Sequence, residues 1–271
     1  MTVGVLAHLF GKKPYKQLAE AIGSYEIEHV QLALWKAMSD YDFSKPGKLN
    51  PGLVKEIKKE FDKHNVSISI LACYLHLFDS NQANRMENLA RFKELLQYAP
   101  LFGAPIVAVE VGKSENGVFT SEDWQTLIKS LKELVAEAEK WGIIIGIEPA
   151  NDHLIGDAKS MKKLLEEMPS SNLGVVLDPG NLLTINNWGK QDQVIQEAFE
   201  LLGDRIVACH AKDRLINQEG EIETVTPGKG KMNYELYLKL LEQYKPNCEI
   251  IMEHTTPEEM LETKAFIEQY R

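Results

Sequence analysis

The segment TSEDWQTLIKSLKELVAEAEKWGIIIGIE, residues 120–148, contains the unit from which the fold is built. Thr120 or Ser121 can cap the start of a helix here, and Gly142 suits its end. The run IIIGIE that follows at once is apolar on both faces, as a strand buried inside a parallel sheet requires. The apolar residues of the helix recur three and four positions apart, which places them on one face: Trp124, Leu127, Ile128, Leu131, Leu134, Val135 and Ala138.

The same alternation of a short apolar run and a longer helix-like stretch recurs along the chain. Apolar runs lie at 3–8, 29–34, 66–73, 106–110, 143–148, 173–178, 206–210 and 249–253. Helical stretches follow at 14–23, 51–64, 83–101, 121–141, 157–168, 189–202, 233–244 and 257–270. Eight βα units in roughly 250 residues match a (β/α)8 barrel, so we predict a single α/β TIM-barrel domain over residues 1–271. A doubly wound open sheet is the alternative, but the Gly-rich phosphate turn that usually marks it is absent from this sequence.

The composition is that of an ordinary globular protein, with 44% hydrophobic and 26% charged residues in 271. No apolar run approaches the roughly 20 residues of a membrane span. The lysines of the opening stretch MTVGVLAHLFGKK follow its apolar patch, which is the reverse of the order in a signal peptide. We therefore expect a cytoplasmic protein that does not enter a membrane. Three widely spaced cysteines without a CxxC pair are expected to be buried and reduced: Cys73, Cys209 and Cys248.

Two connections are longer than the others, at 35–50 and 213–232. Both follow strands, so both belong to the carboxyl-terminal face of a barrel, where active sites are built. Long loops in that position are more often lids or substrate walls than linkers. We therefore expect the functional site on this face.

Four consecutive strands end in a residue type that binds metals. They are the fifth to eighth strands, which end in Glu148, Asp178, His210 and Glu253. Neighbouring strand ends meet on one rim of a barrel, so these side chains can converge on one point. Three carboxylates and an imidazole suit one divalent ion such as Mn²⁺, Co²⁺, Zn²⁺ or Mg²⁺. The alternative is that a strand often ends in a polar residue simply because a loop begins there, but burying four ionisable groups without a partner is costly.

Several short motifs, in this order and at these strand ends, resemble the sugar isomerase/epimerase superfamily of xylose isomerase-like barrels. The motifs are Glu-x-x-Asn at 148–151, the turn after Asp178, His-x-Lys-Asp at 210–213, Pro-Gly-x-Gly at 227–230 and the last strand's Glu253. The resemblance spans essentially the whole chain. It implies that the four strand-end residues bind one metal ion and that the substrate is a small carbohydrate. It also implies a homodimer or a homotetramer, which relatives often form.

The resemblance further implies that Glu148 and Glu253 form an acid/base pair acting on a sugar through an enediolate. If one carboxylate removes a proton and the other returns it on the opposite face, the outcome is epimerisation. If the same base returns the proton to the neighbouring carbon, an aldose–ketose isomerisation results. If a hydroxyl leaves instead, the reaction is a dehydration of the inosose type, on a cyclic polyol ketone. The sequence leaves these three outcomes open.

Further residues are candidates for substrate contact, each with a structural alternative. Lys212 and Asp213 are either substrate-binding residues or the charged start of a solvated loop. His8 and Glu110 end the first and fourth predicted strands, and Trp35 and His76 follow the second and third. Each either faces the substrate or packs in the barrel. The glycines at 228 and 230 either cradle an anion or only turn the chain. His254 alternates away from Glu253 and is expected to face the outer helices.

Two positions depart from the superfamily pattern. Gln31 stands in the second strand where many relatives carry glutamate, which leaves a polar contact from that strand open. Asn181 stands where many epimerases and the nucleases carry histidine, and its amide is expected to bind a substrate hydroxyl or a ligand. An abasic-site nuclease needs further histidines, and residues 213–231 contain none. With a net charge of −10, which repels phosphates, we expect no nucleic-acid partner.

Overall fold

The computed structural model describes residues 2–114 and 116–270. Ten strands are found there: β1 Val3–Leu6, β2 His29–Leu32, β3 Ser67–Ala72, β4 Ile106–Val109, β5 Ile144–Ile147, β6 Leu173–Leu177, β7 Ile206–Ala211, β8 Asp213–Ile216, β9 Ile222–Val225 and β10 Ile250–Met252. The same part of the chain contains ten helices: α1 Tyr15–Gly23, α2 Leu34–Ala37, α3 Pro51–Lys63, α4 Gln82–Phe102, α5 Ser121–Trp141, α6 Ala158–Glu167, α7 Pro179–Leu182, α8 Gln191–Leu202, α9 Tyr234–Tyr244 and α10 Met260–Glu268. Short 3₁₀ turns occupy Ala7–Phe10, Trp188–Lys190, Gly203–Arg205 and Pro257–Glu259.

Eight of these strands close into a parallel barrel in the order β1-β10-β7-β6-β5-β4-β3-β2, which confirms the predicted TIM barrel. Closure pairs the first strand with the last, with Val3 opposite Ile250 and Val5 opposite Met252. An inner cluster of apolar side chains fills the barrel, and the large remainder of the core lies between strands and helices. The inner cluster consists of Leu6, Ile70, Ile106, Ala108, Val176, Ala208 and Ile251.

The predicted helix ends are confirmed where their chemistry was specific. Thr120 caps α5 in a reciprocal capping box with Asp123, so that two backbone N–H groups without helical partners are satisfied. Gly142 ends the same helix in the left-handed conformation, at a φ of 66°, which costs glycine little.

The two long connections contain local structure of their own. Residues 213–225 form an antiparallel hairpin of β8 and β9, in which Asp213 pairs with Val225. The other connection starts with the short helix α2, and Glu94 on α4 accepts hydrogen bonds of 3.0 Å from the backbone of Gly47 and Leu49 in it. Both segments are therefore held against the barrel rim.

The remaining expectations about the chain concern its cysteines and the membrane. All three cysteines are buried and free, as predicted. Within residues 2–114 and 116–270, no helix combines the length and the apolar character that crossing a bilayer requires.

Candidate metal centre

The ends of β5, β6, β7 and β10 bring the four predicted ligand residues together. One ligand atom from each of Glu148, Asp178, His210 and Glu253 lies within 4.8 Å of all the others. Opposite ligands of an ion with bonds of about 2.2 Å stand about 4.4 Å apart, so these atoms fit around a single ion. Three of the residues are fully buried, and Glu253 is partly exposed. The barrel therefore collects three carboxylates and one imidazole at one point.

Asp178 is placed so that its two carboxylate oxygens have different tasks. Oδ1 accepts a 2.8 Å hydrogen bond from the backbone N–H of Gly180 and so caps α7. Oδ2 is buried without a hydrogen bond, although the ammonium group of Lys212 lies 3.2 Å away. This oxygen therefore has an ion-pair partner but accepts no hydrogen bond, which leaves it able to bind a divalent ion. This oxygen and the hard donor set fit a divalent ion of the Mn²⁺ or Mg²⁺ type.

Lys212 and His210 supply positive charge to the three carboxylates. The Lys212 Nζ lies 2.7 Å from Glu253, and His210 Nδ1 lies 2.8 Å from Glu253 and 3.1 Å from Glu148. Burial alone raises the pKa of Glu253, but Lys212 and His210 outweigh it and hold that pKa well below its usual range. Burial alone lowers the pKa of His210, but Glu148 and Glu253 raise it well above 6.5.

The pKa values of Asp178 and Glu110 are shifted mainly by burial. Burial, partly offset by Lys212, raises the pKa of Asp178 to about 6. Burial and the neighbouring charges of Glu148 and Glu253 raise the pKa of Glu110 to about 7. The site therefore holds more carboxylates than its own cations can neutralise, which favours the binding of a further cation.

The Asn181 amide lies between the two charged groups that follow β5 and β7. Its Nδ2 donates to Glu148 at 2.7 Å, and its Oδ1 accepts from Lys212 at 2.9 Å. Asn181 is buried, and it does not line the cavity that Glu148 and Glu253 face. These two hydrogen bonds favour a role in which Asn181 orients Glu148 and Lys212. They do not favour the predicted direct contact between Asn181 and substrate.

Gln31 is a site residue that the sequence left unassigned. It is 1% exposed, with Oε1 2.8 Å from His210 Nε2 and Nε2 donating to the Tyr74 hydroxyl at 2.9 Å. The strand register shows that Gln31 points into the barrel, because it pairs with Leu6 and Ile70, which both face the barrel interior. A polar residue at an inward-facing position needs a polar partner there. Tyr74 had no comparable signal, because it lies beyond the end of β3.

A cavity of about 330 Å³ opens beside the candidate ligands, within the size range of small-molecule sites. Three predicted contact residues line it: His8, Glu110 and Lys212. Both Glu148 and Glu253 face it. Burial, together with Lys36, lowers the pKa of His8 to about 4, so this imidazole is neutral at pH 7. The remaining lining consists of Leu6, Leu9, Lys36, Tyr74, Thr224 and His254.

Trp35 and His76 lie away from this cavity, contrary to the expectation that they face substrate. Trp35 packs over α4 in a small separate recess with Phe43 and Arg91. The ring of His76 stacks edge-to-face on Phe78 at 4.3 Å and borders an outer groove. Each follows its strand by more than one residue, so the short helix α2 sets the direction of Trp35 and the loop after β3 sets that of His76.

His254 was expected to face the outer helices, and this expectation is wrong. It lies at the cavity, and its backbone adopts a left-handed conformation with a φ of 53°. The alternation of side chains holds only within a strand, and β10 ends at Met252. The left-handed turn therefore redirects His254 to the cavity lining.

Asp213 has a structural role instead of the predicted contact with substrate. Its carboxylate accepts hydrogen bonds of 2.8–3.0 Å from four backbone N–H groups, those of Arg214, Gly228, Gly230 and Met232. The glycine pair thus cradles an anion, but this anion belongs to the protein itself. A Cβ at position 230 would stand 2.2 Å from the Asp213 carboxylate, so glycine is required there.

Replacing the Asp213 carboxylate by an amide is expected to destabilise the fold. In Asp213→Asn the new NH₂ group faces backbone donors, so the free energy of unfolding should fall by about 1–3 kcal/mol. Urea unfolding of Asp213→Asn and of Glu219→Gln, at the exposed hairpin tip, measures the difference. Equal midpoints for the two variants would contradict the structural role.

Comparison with known proteins agrees with this architecture. A family model described as "Xylose isomerase-like TIM barrel" matches residues 17–270. The chain is 23% identical over 177 residues to the probable L-ribulose-5-phosphate 3-epimerase of Mycoplasma pneumoniae. That match covers 65% of this chain, which spans only about half (55%) of the relative's length.

Solved structures superpose over nearly the whole chain. A D-tagatose 3-epimerase-like protein has a TM-score of 0.79 at 20% identity, over 100% of this chain and 97% of that protein. A xylose isomerase-like TIM barrel protein from Mycobacterium smegmatis, solved in complex with magnesium, has a TM-score of 0.76 at 17% identity. This second match covers 94% of this chain and 87% of the other. At these identities the superpositions establish the shared fold.

Proposed function

Since the chain belongs to the xylose isomerase-like TIM barrel family, we propose that it is a divalent-metal-dependent isomerase or epimerase of a small sugar, keto sugar or sugar phosphate. The observation that carries the proposal is the pair of carboxylates on either side of His210. Glu148 and Glu253 both face the cavity, and each has an oxygen within 3.1 Å of His210 Nδ1. Two carboxylates directed at one small cavity can move protons to and from a bound sugar.

The four strand-end residues are proposed to hold the metal ion: Glu148, Asp178, His210 and Glu253. When bound, the ion supplies Lewis-acid polarisation of a carbonyl, which makes the proton on the adjacent carbon acidic. Asp178 and His210 act only as ligands in this proposal, since neither lines the cavity.

The two glutamates are proposed to transfer the proton. They follow β5 and β10, with β6 and β7 between them in the barrel, so they approach a bound sugar from different directions. One carboxylate removes the proton next to the carbonyl, and the other returns a proton to the opposite face, which inverts that carbon. Glu110, His8, Lys212 and Tyr74 line the same cavity and are proposed to bind the sugar's hydroxyl groups.

Epimerisation is the favoured outcome of the three that share these first steps. It uses both glutamates, whereas proton return by a single base would leave the second without a task. The curated relative is itself named as a probable 3-epimerase of a ketose phosphate. A cavity of about 330 Å³ also favours a small carbohydrate over a nucleic acid.

Proton exchange with solvent tests the proposed function. Ketoses, their phosphates and inososes are incubated with the Mn²⁺-loaded protein in D₂O and followed by NMR. We expect one substrate to gain deuterium at the carbon next to the carbonyl, with inversion there. Loss of a hydroxyl would identify a dehydratase instead, and turnover without deuterium incorporation would contradict proton transfer through Glu148 and Glu253.

A further inference from the structure

We propose that Gln31 is the positioning residue that selects the metal-binding tautomer of His210, so that the imidazole offers Nδ1 to the ion. This inference rests on the metal centre proposed above. Gln31 lies on β2, across the barrel from β7, and 179 residues separate it from His210. Both side chains are buried, at 1% and 0% exposure. Their 2.8 Å contact is therefore screened from water.

The direction of this hydrogen bond follows from the atoms involved. Gln31 Oε1 carries no proton and can only accept, so His210 Nε2 must be the donor. A metal ion would displace the Nδ1 proton that faces the carboxylates; in the resulting neutral imidazole the remaining proton stays on Nε2 and the free lone pair lies on Nδ1. Nδ1 is the nitrogen that faces the carboxylates of Glu148 and Glu253. A histidine that ligates a metal commonly donates its second N–H to such a partner, which fixes both tautomer and ring orientation.

The opposite orientation of the Gln31 amide would have the opposite effect. Its NH₂ group would face His210 Nε2, which would then have to accept. The proton would move to Nδ1, where it blocks the metal-binding lone pair. In the structure the Gln31 NH₂ donates to the Tyr74 hydroxyl at 2.9 Å. The Tyr74 hydroxyl therefore satisfies the buried Gln31 NH₂ group in the orientation that a metal requires.

Metal affinity, measured by calorimetric titration of the full chain with Mn²⁺, tests the inference without any sugar substrate. Gln31→Leu removes the acceptor and is expected to weaken Mn²⁺ binding about 10–100-fold. Gln31→Glu restores an acceptor and should bind within a few fold of wild type or more tightly. Tyr74→Phe removes the acceptor of the Gln31 NH₂ group and should give a smaller loss. Gln97→Leu, on the exposed face of α4, is the matched control and should leave binding unchanged.

The inference would be overturned if the Gln31→Leu protein bound Mn²⁺ as tightly as wild type. It would also be overturned if the Gln31→Glu protein bound Mn²⁺ as weakly as the Gln31→Leu protein. A wild-type chain without affinity for divalent ions would instead refute the metal centre and with it this inference. Inactivity toward every sugar tested would affect only the proposed reaction, because binding is measured separately.

A second measurement on the unaltered sequence covers the case in which Gln31→Leu does not fold. In the Zn²⁺-loaded, ¹⁵N-labelled protein, NMR distinguishes the protonated ring nitrogen of a histidine from the metal-bound one. The signals of His210 are identified by their loss in His210→Asn. We expect the proton on Nε2 and the metal on Nδ1. A proton on Nδ1 would contradict the role of Gln31.

Discussion

Glu148→Gln and Glu253→Gln are each expected to lower kcat by at least about 10²–10⁴-fold, the usual contribution of a general acid or base. An amide cannot accept or return the proton, and it also removes one charge from the metal site. Each side chain touches His210, so the loss should be comparable for the two. Steady-state kinetics on the substrate found in D₂O, with Mn²⁺ saturating each variant, measures the effect.

The control for these variants is Glu249→Gln. Glu249 lies immediately before β10, at the opposite end of the barrel from Glu253, and should turn over substrate like wild type. Far-ultraviolet circular dichroism checks that each variant is folded. If either glutamine variant keeps more than about a tenth of wild-type kcat, that glutamate is not the acid or base, since even the weakest such role contributes about 10²-fold.

Removing the metal is expected to abolish turnover and to lower thermal stability together. An ion that binds only the folded chain raises the free energy of unfolding by about 2.7 kcal/mol at 100 times its Kd. The chain should therefore lose activity and unfold at a lower temperature after chelation, and Mn²⁺ or Co²⁺ should restore both. Differential scanning fluorimetry against metal concentration measures the stability change.

Asp178→Asn provides the matched variant for this experiment. The amide oxygen can still accept from Gly180, which preserves the cap of α7, but the charged Oδ2 that would meet the ion is lost. We expect Mn²⁺ to bind at least about 10-fold more weakly and to raise the unfolding temperature less. A chelated protein with full activity, or an unfolding temperature that does not respond to any divalent ion, would contradict the metal-dependent mechanism.

The barrel and its four candidate ligands follow from local sequence because a parallel barrel leaves few choices. Alternating βα periodicity predicts the strands, and strands that are parallel place all their carboxyl ends on one rim. A residue at the end of such a strand has its direction set by the strand itself. Glu148, Asp178 and His210 were therefore predictable from runs of fewer than ten residues.

Residues beyond the strand ends required the tertiary structure. His254 adopts a left-handed conformation and lines the cavity, whereas Trp35 in the short helix α2 and His76 in the loop after β3 are directed away from it. Asp213 lies just after β7, the strand that carries His210. Its carboxylate nevertheless accepts hydrogen bonds from four backbone N–H groups later in the chain. In each case a turn or a partner distant in sequence determines the direction of the side chain. The helix and strand periodicities of the sequence predict neither the turn nor the partner.

By itself, the sequence determined the closed barrel, from the count of eight βα units, and the candidate rim and ligands, because a strand and the residue that ends it can be read from one βα unit. Only the tertiary structure decided how those ligands are oriented. The contact between Gln31 and His210 spans 179 residues and forms because barrel closure places β2 and β7 around one interior. Hydrogen-bond direction, and with it the tautomer offered to a metal, depends on such contacts across the barrel and not on any neighbouring residue.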